Sequence, residues 1–328
     1  MLQHKPISIL DLVPVYEGYT ATESFQRSRN LAKLADELGY KRYWVAEHHN
    51  SRSIASSATA VVIGHLAEVT TQIRVGSGGI MLPNHAPLII AEQFGTLEAM
   101  YPGRIDLGLG RAPGTDPFTA RALRRRASED FEQNIEELER FTSKAQPSDS
   151  IQAHPGAGAN IPLWLLGSSP FSAELAGRKG MPYAFASHFA PDYFSQAIRL
   201  YRKHFQASDL LEKPYMIACV NAIVAPTDEE AQFLATTAQQ FALNIIRQDH
   251  QLLQRPIENM DAVWSRFEKE AVLRQRHHSF IGSPETVRTH LETFIEDTQM
   301  DELMFVKTIY DEEKQHQSIR LLKEVFEK

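Results

Sequence analysis

A chain of 328 residues with 43% hydrophobic and 23% charged side chains has the material for a large soluble core, which excludes disorder as its default state. Its 34 basic against 41 acidic residues leave −7, a balance that opposes binding to nucleic acid or to an anionic membrane surface. The single cysteine, Cys219, excludes an internal disulfide and a cysteine-rich metal site, and suits a reducing cytoplasm.

Cys219 lies in the apolar run 216–225, where a buried structural thiol is expected rather than a nucleophile. The first residues lack the apolar core of a secretion signal, and no later segment approaches ~18 uninterrupted apolar residues. Neither export nor membrane spanning is expected.

Residues 7–14 read as a strand, followed by a helix over 24–38 with Phe25, Leu31, Leu34, Ala35 and Leu38 at helical spacing before Gly39 stops it. The unit then repeats. Strands over 43–47, 74–82 and 105–109 precede helices over 57–69, 88–100 and 128–141. In the second half 162–166, 183–187 and 215–225 precede helices over 172–179, 192–205 and from 228 onward, and 302–307 pairs with 314–326. Eight alternations without a break in composition predict one closed (β/α)8 TIM barrel over residues 1–328, not an open doubly wound sheet. Residues 144–160 and 244–281 exceed what a minimal barrel needs and are expected as lid-like insertions at its C-terminal face.

The second strand ends in Glu47-His48-His49, where the mouth of a parallel barrel collects reactive groups. Side chains alternate along a strand, so one imidazole at most faces the centre. His48 is the candidate for proton transfer, with His49 second; the plain alternative is a histidine satisfied by a neighbouring carbonyl. Adjacent histidines chelate poorly without further ligands brought in by the fold, so no metal is assigned.

Gly78 and Gly79 close the third strand, where missing side chains admit a flat ligand or mark a bulge. The run from Gly108 to Gly114 has the wrong glycine spacing for a dinucleotide fingerprint, and Pro113 and Pro117 obstruct an immediate helix. Arg111 there reads as a fixed cation for an anion or as a surface arginine. Ser168, Ser169 and Ser172 combine hydroxyls with free amides at a helix start, which is an anion seat beyond what capping alone requires. Ser283 with Pro284 needs only capping, His277 and His278 read as lid surface, and Arg121 to Arg126 as a solvated face. Tyr16, Phe185, His188 and Phe189 are candidates for an apolar substrate wall.

Ala46 to His49, the stretch 75–83, Tyr101-Pro102-Gly103-Arg104 leading into Leu107 to Arg111, and Leu166 to Ser169 together resemble the bacterial luciferase-like flavin monooxygenases. The resemblance covers most of the chain. It implies a barrel that binds reduced FMN, supplied by a separate flavin reductase, and uses O2 through a flavin C4a-hydroperoxide to oxygenate a small organic substrate. His48 takes the family's catalytic position, Glu47 a place beside the flavin pocket, Arg111 the phosphate arginine, and Ser168, Ser169 and Ser172 the phosphate loop. Gly78-Gly79 falls where the family often has a non-prolyl cis peptide under the flavin ring. Gly110 and Ser168 stand where light-emitting members carry a cysteine and an acidic residue, which argues against light emission. A homodimer through the helices after the second and third strands is also implied. A deazaflavin-dependent hydride-transfer enzyme, a flavin-binding protein without turnover and a flavin-free barrel hydrolase or isomerase, which would need a carboxylate pair or a metal, are the competing readings.

Overall fold

The computed structural model describes residues 2–123 and 131–327. Its strands are β1 (Ile7–Asp11), β2 (Arg42–Val45), β3 (Arg74–Met81), β4 (Ile105–Gly110), β5 (Leu163–Gly167), β6 (Tyr183–Phe185), β7 (Met216–Val224), β8 (Ser279–Gly282) and β9 (Glu302–Val306). Strands β1 to β6 pair in chain order, β6 meets β7, β7 meets β9 and β9 returns to β1, every pair parallel. This is the closed eight-stranded barrel that the alternation predicts. The extra strand, β8, pairs with residues 221–224 of β7, beyond the end of β6.

Period-two alternation sorts the side chains into two cores separated by the barrel wall. Outward residues such as Tyr43, Val45, Leu107, Leu165 and Phe305 join the surrounding helices in the large core. Inward residues fill the barrel in layers. At its N-terminal foot Arg42 bonds Asp106 at 2.6 Å and Glu302 at 2.8 Å, while Trp44 Nε1 donates to Asp106 at 3.0 Å. Above them Leu10, Trp44, Trp164, Ile217, Cys219 and Met304 pack as an apolar plug. Cys219 is buried as expected, and burial pushes its thiol up, away from reactivity.

The two long insertions differ in placement. Residues 144–160 join the helix Phe131–Thr142 to β5, so they start and return at the N-terminal end, and they do not cover the mouth. Gly156 is pressed against the helix Pro87–Met100: a Cβ at Gly95 would lie 2.2 Å from Gly156 Cα. This insertion is a packed seam, because close backbone approach fixes it there.

Residues 244–281 do reach the mouth. Leu253 bonds Val15 and Glu17 through its backbone, above the end of β1. The helix Asp228–Arg247 packs Ala231, Leu234 and Ala235 on Ile223, Ala225 and Ile309 at the strand tops. The helix that covers the barrel side after β7 is Pro284–Thr298, whose Val287, Leu291 and Ile295 enter the large core and whose Ser283 caps its start. Among the described residues no helix is long and apolar enough to cross a membrane.

Candidate active site at the barrel mouth

Beyond β2 the chain keeps its alternation. His48 N–H donates to Ser56 O at 2.9 Å and His49 N–H to Gly114 O at 3.1 Å, so the two imidazoles leave on opposite sides. Arg42, Trp44 and Ala46 face inward, and His48 continues that series. Glu47 and His49 face the other way, with His49 Nε2 at 2.8 Å from the Glu47 carboxylate.

Glu47 is the centre of a clasp behind the mouth. Besides His49, its carboxylate accepts from Met81 N–H at 3.0 Å and Asn84 Nδ2 at 3.2 Å, and lies 3.0 Å from His85 Nε2. Burial opposes its ionisation, but the bonds from His85, His49 and Met81 outweigh that and hold the carboxyl below its ordinary range. Glu47 therefore acts on the mouth through the chain beyond β3, its oxygens already engaged with protein donors. His85 escaped the sequence reading; its position four residues past a barrel strand was the available signal. The ligand atoms of Glu47, His49 and His85 lie within 4.8 Å of one another, a metal-compatible spacing that the hydrogen bonds already occupy.

His48 is left differently. Its Nδ1 is buried and has no protein partner, which removes the reading of a carbonyl-satisfied histidine. Burial, ahead of the neighbouring charges, lowers its pKa, so the ring is neutral at pH 7. The turn after β6 carries His188, whose Nδ1 is likewise buried and without a partner among the described residues. Burial first, then the charge of Arg276, brings His188 down to about 3, and the charge of His48 contributes too. In a ring of eight strands β2 and β6 stand opposite each other, so an interaction between His48 and His188 crosses the mouth.

The other predicted residues fall on the same rim. β3 shifts register between Ser77 and Ile80, and the Gly78-Gly79 peptide is cis, so the bulge and the special backbone are both present. A Cβ at Gly78 would lie 2.6 Å from Leu10 Cδ1, and one at Gly79 would lie 2.8 Å from Gly108 O. Only glycine fits this flat shelf. The Arg111 guanidinium stacks on the Phe171 ring at 4.3 Å, which joins the end of β4 to the serine loop after β5.

Within that loop the three serines divide. Ser169 occupies the N-cap of the helix Pro170–Arg178 without using its hydroxyl to cap, and Ser168 likewise has no hydrogen-bond partner among the described residues. Ser172 is buried, and its hydroxyl is spent on Ser169 O and Tyr183 Oη, both at 2.9 Å. It can offer an anion only its backbone.

The expected substrate wall needs correction. Phe185 points outward onto Phe194, because it is odd in the β6 alternation, and Tyr16 is buried under Arg27 and Tyr310. Phe189 is half exposed and packs edge-on against His188 with ring centroids 4.8 Å apart, so these two of the group stay together after β6. His278 is not lid surface: it packs edge-on to Phe194 and Phe294. Arg121 is exposed in the short helix Pro117–Ala122, and Arg124, Arg125 and Arg126 lie outside the described residues.

A neutral imidazole, a glycine shelf and an arginine stacked on the serine loop are spread around one barrel mouth. The family model described as luciferase-like monooxygenase matches residues 7–302. The chain belongs to the luciferase-like monooxygenase family. A luciferase-like monooxygenase of Escherichia coli (strain K12) is 48% identical over 323 residues, covering 98% of this chain and 96% of that protein. The crystal structure of apo-MsnO8 superposes with a TM-score of 0.89 at 35% identity, over 100% of this chain and 99% of that one. Two more distant structures share the fold alone. One is the oxygenating constituent of 3,6-diketocamphane monooxygenase from Pseudomonas putida in complex with FMN (TM-score 0.76, 18% identity, 98% and 97% covered). The other is an F420-dependent secondary alcohol dehydrogenase (TM-score 0.69, 15% identity, 99% of each covered).

Proposed function

We propose that this member of the family is an FMN-dependent monooxygenase that receives reduced FMN from a separate reductase and oxygenates a small organic substrate. The observation that carries the reading is the shared rim: His48 faces inward without a protein partner, while Arg111 stacks on Phe171 of the loop bearing Ser168 and Ser169. These residues fit a phosphorylated flavin. Arg111 and the two free hydroxyls would hold the phosphate at the start of the helix Pro170–Arg178, where unpaired N–H groups favour an anion. The Gly78-Gly79 shelf leaves room for a flat ring. When bound, reduced FMN supplies two electrons to O2, so that one oxygen atom enters the substrate and the other leaves as water.

The chain's own part is positional and protonic. His48, neutral and desolvated, can take or return a proton at a ring nitrogen. The segment through Leu253, anchored over β1, shields one side of the mouth from water. Exposed Val61 and Ile89, on the helices Thr59–Ala67 and Pro87–Met100, support pairing of two chains through those helices.

Turnover with reductase-supplied FMNH2 and O2 tests the reading. His48→Ala is expected to lower the rate by ~10² or more while FMN still binds. Preference for F420 over FMN in a binding titration, or hydride transfer without oxygen, would overturn it.

A further inference from the structure

We infer that Arg276 is the substrate-reading cation of the mouth, and that the substrate is an organic anion whose carboxylate or sulfonate group docks between Arg276 and His188. The inference rests on the monooxygenase reading and adds to it the class of molecule oxygenated.

The observation behind it is a cation for which the fold supplies no anion. Among the described residues the Arg276 side chain has no hydrogen-bond, ion-pair or ring partner. By contrast Arg42 has two carboxylates, Arg27 has two carbonyls and Arg111 has the Phe171 ring. Arg276 is nonetheless partly buried, and burial alone brings its pKa down to about 10. A guanidinium presents five donors in a planar fork, so leaving it partly desolvated and unpaired is costly unless a ligand completes it.

Its placement is fixed by the fold. Arg276 closes the helix Arg266–Gln275, and two residues later His278 O accepts from Asn221 N–H at 3.0 Å. The side chain of that same Asn221 donates to His188 O at 2.8 Å. One residue of β7 thus ties the segment carrying Arg276 to the turn carrying His188, and the charge of Arg276 is felt at the His188 ring.

Chemistry and position separate this pair from the flavin phosphate seat. Arg111, Ser168 and Ser169 lie after β4 and β5, whereas Arg276 and His188 lie at the tops of β6 and β7. An anion held by Arg276 would point the rest of its carbon skeleton across the axis towards His48, on the opposite strand. His188, neutral at pH 7, adds a donor or acceptor without adding charge.

The test uses the full chain with FMN and three probes of matched length: hexanoate, hexanesulfonate and hexanamide, measured by titration calorimetry. At least one of the two anions is expected to bind the parent about ten-fold or more tightly than hexanamide, and the better anion identifies the headgroup. In Arg276→Gln the ratio is expected to fall to about one, and in Arg276→Lys to recover part of the preference, with thermal midpoints and FMN affinity unchanged. Equal binding of anion and amide to the parent, no measurable anion binding, or a preference that survives Arg276→Gln would overturn the inference. So would loss of FMN binding in Arg276→Gln, which would make this arginine a cofactor residue. An anion preference in a parent that binds no FMN would instead support Arg276 and remove the flavin reading alone.

Discussion

The two ends of the barrel hold similar chemical groups under opposite conditions. At the foot Arg42, Asp106 and Glu302 are buried together, with Trp44, Tyr215, Arg74 and Ser8 completing their hydrogen bonds. At the mouth the Nδ1 atoms of His48 and His188, the hydroxyls of Ser168 and Ser169 and the guanidinium of Arg276 have no protein partner among the described residues. A fold able to satisfy two carboxylates and two arginines at one end does not lack the means at the other. The contrast between a closed ion network at the foot and open polar groups at the mouth is what a ligand-binding rim on a stable barrel requires.

The largest expected effect breaks the closed end. Arg42→Ala strands two fully buried carboxylates and should cost about 3–5 kcal/mol in urea unfolding, while the molecules that remain folded bind FMN as the parent does. A cost under about 1 kcal/mol would show that the foot is not held by this network. Gly79→Ala tests the boundary between the two regions. Its Cβ would meet Gly108 O at 2.8 Å and Gly108 C at 3.1 Å, backbone that cannot step aside. Unfolding should show a loss of about 1–3 kcal/mol, together with weaker FMN binding.

A pH-dependent effect lies just beyond the end of β9. Lys307 is buried, donates to Ala222 O at 3.0 Å and Ser318 Oγ at 3.3 Å, and is brought down to about 7 by burial. The native chain therefore holds fewer protons than the unfolded one between about pH 7 and about pH 10.4, and stability should rise with pH across that window. Lys307→Met should abolish the rise. A parent whose unfolding free energy is flat over the same range would contradict the assignment.

The barrel was legible because alternation of strand and helix is a local, periodic signal, and so was the turn from Glu47 to His48, which period two alone assigns to opposite faces. What escaped was long-range. The partners of Glu47 include His85, which is 38 positions away, and nothing in either segment announces the other. Ser172 looked like its neighbours, yet Tyr183, brought beside it by the pairing of β5 with β6, takes its hydroxyl inward. Arg276 was hidden within a polar insertion, and its meaning depends on β8 filling the space above the short β6. The lid expected over residues 144–160 rests on length, which cannot tell a connection at the foot from one at the mouth.

The most direct test of the phosphate end of the mouth compares FMN with riboflavin, which lacks the phosphate, in binding titrations of the parent and of a variant carrying Arg111→Ala and Ser169→Ala. The parent should bind FMN at least about ten-fold more tightly than riboflavin, and the variant should lose that difference while binding riboflavin as before. Equal affinity of the parent for the two flavins, or an FMN preference unchanged in the variant, would contradict the account.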